Sequence, residues 1–136
     1  MTTVRAILLA SLLAATAGAA DFVVIANQSL QTTAVSANDL KQIYLGNKTT
    51  IHDRHVEPVT AQAGAAHEHF ASQYLGKSPA GLRVYFRNLV FTGKGAMPRS
   101  FATAAEMVAY VAVTPGAIGY VSSATDLKGV VVLTIH

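Results

Sequence analysis

The sequence contains no cysteine. This excludes disulfide staples, thiolate metal centres and a cysteine nucleophile. Charge is also sparse, at 12% of residues, with ten Lys/Arg against seven Asp/Glu. That excess is too small and too scattered to mark a nucleic-acid-binding surface. No basic run, heptad, low-complexity stretch or repeat of solenoid length occurs. GxSxG and HExxH are both missing. The seven carboxylates have no spacing that suggests an acid–base pair, and Ser122-Ser123 follow an expected strand without a base to activate them. The chain is therefore read as a non-enzyme, and no cofactor is expected.

The N-terminus has the features of a leader. Arg5 gives a short positive region, Ala6 to Ala17 is an uncharged apolar run, and Ala17-Gly18-Ala19 and Gly18-Ala19-Ala20 offer small residues for cleavage. The run is too short to cross ~30 Å of hydrocarbon, so a secretory signal peptide over residues 1–20 is expected rather than a membrane span. No cysteine follows it to carry a lipid. Loss of the leader removes Arg5 and is expected to leave a net charge of +2 on an exported domain of residues 21–136. A domain of that size can hold a core without staples, which chains below ~40 residues usually need.

The rest reads as helices alternating with short apolar strands. Phe22 to Ala26 is a strand buried on both faces, and Asn27 to Thr33 is a polar connection. Ser36-Ala37-Asn38-Asp39 resembles a capping box opening a helix through Tyr44, with Gly46 as its stop. Val56 to Thr60 reads as a strand, and Gly64 to Tyr74 as a helix followed by Gly76. Ser78-Pro79 caps a helix through Leu89, whose Leu82, Tyr85, Phe86 and Leu89 recur at core-facing spacing. Phe91 to Ser100 is a loop. Thr103 to Glu106 is a capping box for a helix to Val113, Pro115-Gly116 is a turn, and Ala117 to Val121 and Val130 to Ile135 are strands. The expected class is α/β, a mixed β-sheet flanked by helices.

Several segments carry a family resemblance. They are Asp39 to Gly46 (DLKQIYLG), Val56 to Val59 (VEPV), Phe70, Leu75 to Pro79 (LGKSP), Val90 to Gly95 (VFTGKG) and Pro115 to Val121 (PGAIGYV). Spread in order over the chain, they resemble the periplasmic phosphate-binding proteins of ABC transporters, in particular their short, single-domain members. The resemblance implies a single periplasmic-binding-protein-like lobe and recognition of phosphate or a related oxyanion. It also implies an ABC transporter permease as partner. The arginine and Ser-Gly-Thr turn that cradle phosphate in full-length members fall here at Ala61 and at Gly64-Ala65-Ala66. Asn27-Gln28-Ser29 replaces the Gly-Ser-rich loop after the first strand. A second reading, from another class, is a ligand-free interaction module docking on a transporter, sensor or envelope protein.

Three candidate sites follow. At the start of the Gly64 helix, small residues and free N–H groups suit an anion, so Gly64, Ala65, Ala66, Gln62 and His67 are the expected ligand-binding residues. Gly93-Lys94-Gly95, with Arg99 nearby, is a secondary anion-loop candidate, because successive glycines can turn N–H groups inward as a nest. His52, His55, His67 and His69 lie within a short span, and His52 and His55 could converge with Asp53 on a metal. His67 and His69 point to different helix faces, and exposed histidines without a metal are the expectation.

Overall fold

The computed structural model describes residues 22–136, so the expected leader lies outside the described residues. The elements in chain order are β1 (Phe22–Ala26), β2 (Ala34–Val35), α1 (Ala37–Tyr44), β3 (Thr50–Ile51), β4 (Arg54–His55), β5 (Glu57–Pro58), β6 (Thr60–Ala61), α2 (Ala65–Phe70), α3 (Pro79–Phe91), β7 (Ser100–Phe101), α4 (Ala104–Val113), β8 (Ala117–Ser122) and β9 (Val131–Ile135). Among the described residues no helix is long and apolar enough to cross a membrane.

The central sheet is mixed, as expected, with strand order β2-β9-β1-β8-β5. β1 pairs antiparallel with both β8 and β9, so Val24 lies opposite Tyr120 on one side and Leu133 on the other. β2 and β5 extend the edges in parallel. Along β1 the side chains alternate between two cores. Phe22, Val24 and Ala26 join the core beneath α1, α2 and α3, while Ile25 joins Met107, Val108 and Val111 of α4 on the opposite face. The continuous apolar run of β1 is thus explained by helices on both faces.

The capping residues act as read. Ser36 Oγ accepts from the Asp39 N–H at 3.0 Å, and Ser78 Oγ accepts from the Gly81 N–H at 3.0 Å. Thr103 Oγ1 accepts from the Glu106 N–H at 3.1 Å and donates to the Glu106 carboxylate at 2.9 Å. Each satisfies one of the donors that a helix start leaves free.

Three expected spans differ. The strand over Val56 to Thr60 is broken into β5 and β6, because Pro58 has no N–H to continue a ladder and sits on the edge strand, where proline is tolerated. The chain then leaves the central sheet, and β6 pairs in parallel with β7, Thr60 opposite Ser100 and Ala61 opposite Phe101. The helix after Gly64 widens at Ala71–Leu75 into a π-helical turn. α3 runs two residues beyond Leu89, to a Phe91 that is 81% exposed.

Gly116, in the turn before β8, has φ +80°, and a Cβ there would lie 2.4 Å from the His55 carbonyl oxygen. Its own carbonyl accepts from the Glu57 N–H at 2.8 Å, which seats β5 on the sheet.

Candidate functional site

The two helices that follow the β6–β7 pair begin side by side. α2 starts at Gly64, whose φ of 108° and ψ of 168° lie in a region essentially restricted to glycine. No side chain caps this end, so the first N–H groups of α2 have no partner from a cap. α4 starts at Thr103. Gly64, Ala65 and Ala66 face Ala102, Thr103 and Ala104 across a cavity of 230 Å³, with Ser122 at the end of β8 on its wall. Two positive helix ends therefore open on one space. Neither Lys nor Arg lines that space.

The five residues expected to form one site divide between two cavities. Gln62 and His67 line a separate one of 280 Å³, with Ala61 as the wall common to both. His67 is 5% exposed, which corrects the expectation that the histidines are surface groups. It is buried because α2 places His67 and Phe70 one turn apart against Tyr120. The Phe70 and Tyr120 rings stack at 3.9 Å, and His67 stacks on Tyr120 at 6.0 Å.

Hydrogen bonding fixes the tautomer of that histidine. The Tyr120 oxygen accepts from the Ala61 N–H at 3.1 Å and lies 2.6 Å from His67 Nδ1. With Nδ1 as acceptor, Tyr120 uses its only proton and both buried groups are satisfied. His67 then carries its proton on Nε2, which has no partner among the described residues. Burial lowers the pKa of this ring, the Arg83 charge lowers it further, and Glu68 acts in the opposite direction. Burial raises the Tyr120 phenol, with the Ala61 bond opposing it. His67 is thus a neutral donor at neutral pH.

The Gly93-Lys94-Gly95 loop is engaged differently from a nest. The Gly93 and Lys94 N–H groups donate to Val90 and Leu89 carbonyls at 3.1 and 3.0 Å, closing the end of α3. Lys94 lines an open groove of 480 Å³ with Lys48 and Arg99. Two of those cations are already engaged, Lys48 with Asp39 at 3.1 Å and Arg99 over the Tyr110 ring at 5.2 Å.

The histidine cluster does not converge. His52 and Asp53 make the β3–β4 turn at φ 49° and 65°. Among the described residues no three His, Cys, Asp or Glu side chains are placed to share a metal.

Residues that sequence reasoning did not place in a site are Thr60, Thr103, Tyr120 and Ser122. Thr103 was legible as a helix cap, but its position opposite Gly64 depends on the β6–β7 pairing, which no local pattern encodes.

No protein-family model matches the chain, and no curated protein matches it. Solved structures do. The chain is similar to an ABC-type phosphate transport receptor from Vibrio cholerae, with TM-score 0.63 and 17% identity over 85% of this chain and 46% of that one. It is similar to a phosphate ABC transporter substrate-binding protein from Clostridium perfringens, solved with bound phosphate, with TM-score 0.62 and 17% identity over 85% and 44%. PstS from Borrelia burgdorferi gives TM-score 0.59 and 12% identity over 85% and 47%. The chain spans less than half the length of these receptors. Its fold is that of one lobe of the phosphate-binding transport receptors, a periplasmic-binding-protein-like α/β lobe.

Proposed function

We propose that the chain is an exported solute-binding-type domain that recognises phosphate or a related inorganic oxyanion for an ABC transporter. The observation that carries this reading is the opening of two helix starts, at Gly64 and Thr103, on one 230 Å³ cavity. The free N–H groups and dipole ends there favour an anion, and the alanines let it approach the backbone. The Ser122 hydroxyl supplies a further donor, while the Thr103 hydroxyl proton is taken by the Glu106 carboxylate. The similar receptors include one solved with phosphate. With no guanidinium in the cavity, affinity rests on hydrogen bonds to the charged acceptor at ~1.5–3 kcal/mol each and on helix ends at ~0.3–1 kcal/mol, less the cost of immobilising the ligand. That places binding near millimolar, where the free energy is about −4 kcal/mol.

The experiment is thermal unfolding of the phosphate-stripped protein against phosphate, sulfate and chloride at matched ionic strength. Phosphate at about 100 times its dissociation constant adds ~2.7 kcal/mol and raises the midpoint by roughly 10 °C. Ala65→Glu removes the response while the fold survives, because Ala65 is exposed and a carboxylate in the first helical turn is itself favourable.

A second reading, a ligand-free module docking on a transporter, sensor or envelope protein, is favoured by the same cavity's walls. Ala61, Ala63, Ala102, Ala104, Met107 and Val121 make them largely apolar. Failure of every anion to move the midpoint selects this reading.

A further inference from the structure

α3 buries one face and leaves the other bare. Leu82 and Phe86 join the core, with Tyr85 and Leu89 packed against it. The opposite face carries Arg83, Val84, Arg87, Val90 and Phe91, which recur three and four residues apart and so form one stripe. Val84 is 49% exposed, Val90 50% and Phe91 81%. The loop after α3 folds back on the helix end, since the Lys94 N–H donates to the Leu89 carbonyl at 3.0 Å. It brings up Met97, which is 56% exposed and shares a cavity wall with Arg83. Val84, Val90, Phe91 and Met97 are four of the six large apolar side chains exposed among the described residues. Apolar exposure gathered in one place marks a contact surface, whereas scattered single residues need no explanation.

Positive charge is gathered there too. Between Glu68 and Glu106 the chain has five Lys/Arg and no Asp/Glu. Two of the five rest on rings, Lys77 on Tyr85 and Arg99 on Tyr110. Arg83, Arg87 and Lys94 make no ion pair among the described residues.

We propose that this face of α3, with the loop to Met97, rests on an anionic lipid surface. Cations interleaved with apolar side chains match the two layers of such a surface. Headgroup phosphates attract Arg83, Arg87 and Lys94, while Phe91, Val90 and Met97 enter the acyl boundary. The long stems of Arg and Lys let their charged ends stay among the headgroups as the apolar groups go deeper. A protein partner suits the face less well. The 13 residues of α3 span about 20 Å, and a strip ~10 Å wide covers roughly 200 Å². A standard protein interface needs ~800 Å² from each partner. Lipid binding instead grows with whatever apolar area and charge are presented, with no shape to match. The assignment does not rest on the phosphate reading or on the 230 Å³ cavity.

The test is co-sedimentation of the protein with two kinds of vesicle, pure phosphatidylcholine and phosphatidylcholine with about one-third phosphatidylglycerol. The protein is expected to associate with the phosphatidylglycerol vesicles, less at high salt, and to leave the neutral ones. Arg87→Gln should weaken association roughly fivefold, the worth of one cation near an anionic surface. Phe91→Ser should weaken it roughly tenfold, through loss of one inserted aromatic ring. Both positions are exposed, and the unfolding midpoint of each variant checks that the fold is intact. Lys128→Gln removes the same charge elsewhere: Lys128 precedes Gly129, which sits beside Ala112 of α4, the helix on the other face of the central sheet. That variant should associate as the parent does. The proposal is overturned by absence of association, by equal association with neutral vesicles, by Lys128→Gln costing as much as Arg87→Gln, or by full association of Phe91→Ser. Self-association of the free protein that Phe91→Ser abolishes would also overturn it, since a second copy would then cover the face.

Discussion

His67 Nδ1 lies 2.6 Å from the Tyr120 hydroxyl, and the two rings are stacked 10° from parallel at 6.0 Å. The contact bridges 53 residues of sequence and joins α2 to the middle of the central sheet. It holds the imidazole neutral, because a proton on Nδ1 would leave the Tyr120 hydroxyl hydrogen without an acceptor.

This gives a pH dependence of stability. Burial lowers the folded pKa of His67 below its unfolded value of ~6.5. The unfolded chain therefore takes up a proton first as pH falls, and the fold loses stability from about pH 6.5 down to the lowered folded pKa. Above that window the contribution is fully present. Denaturant midpoints of the protein and of His67→Gln, measured between pH 7.5 and 5 in steps of about half a unit, should diverge. A His67→Gln slope as steep as that of the parent would show that another group carries the effect.

Tyr44 is a second buried phenol whose role is backbone support. Its hydroxyl reaches the carbonyls of Val59 at 2.9 Å and Ile118 at 3.1 Å, tying α1 to the gap where β5 hands over to β6. Burial raises its pKa, with Tyr120 adding to the shift, so it stays a donor across the ordinary pH range. Tyr44→Phe should cost about 1–3 kcal/mol, the range for an orphaned buried acceptor. Chemical denaturation should register this as a lower midpoint with an unchanged slope.

Gly116→Ala is expected to be more damaging than its size suggests. The new methyl group meets the backbone oxygen of His55 at 2.4 Å, and φ of +80° is strained for any residue with a Cβ. Strain and overpacking of about 1–3 kcal/mol each should lower the melting midpoint by roughly 10 °C. A change within about 2 °C would mean that the β4–β5 segment yields freely.

Thr103 caps α4 and lines the 230 Å³ cavity. Thr103→Ala should lose about 1 kcal/mol of stability, and Thr103→Ser should keep most of it. Because Glu106 takes the Thr103 hydroxyl proton, the phosphate response should be the same in the alanine and serine variants, and a loss confined to the alanine variant would show that the hydroxyl turns to the ligand.

Features governed by neighbours along the chain were legible before the structure. Ser36, Ser78 and Thr103 each sit three residues before the N–H that they bind, so local spacing was enough. β1, β8 and β9 were visible as apolar runs. Features set by long-range pairing were not. The parallel contact of Thr60 with Ser100 places Gly64 opposite Thr103. Burial of His67 depends on a tyrosine 53 positions away. Gly93 and Lys94 looked like an anion nest because glycine content was visible, while the Leu89 and Val90 carbonyls that take their N–H groups were not. The candidate site was thus half legible, in its residues but not in their division between two cavities.

The order of strands in the sheet has a consequence for how the chain is made. The middle strand, β1, comes first among the described elements, and the two that flank it, β8 and β9, come last. Its apolar residues therefore wait for partners about a hundred positions downstream, and no hairpin next to it can form early. Such non-local closure is slow, because the intervening loop must be gathered before any pairing rewards it. During synthesis the chain stays open at its centre until residues 117–135 have emerged. Until then β1 has no ladder partner on either side.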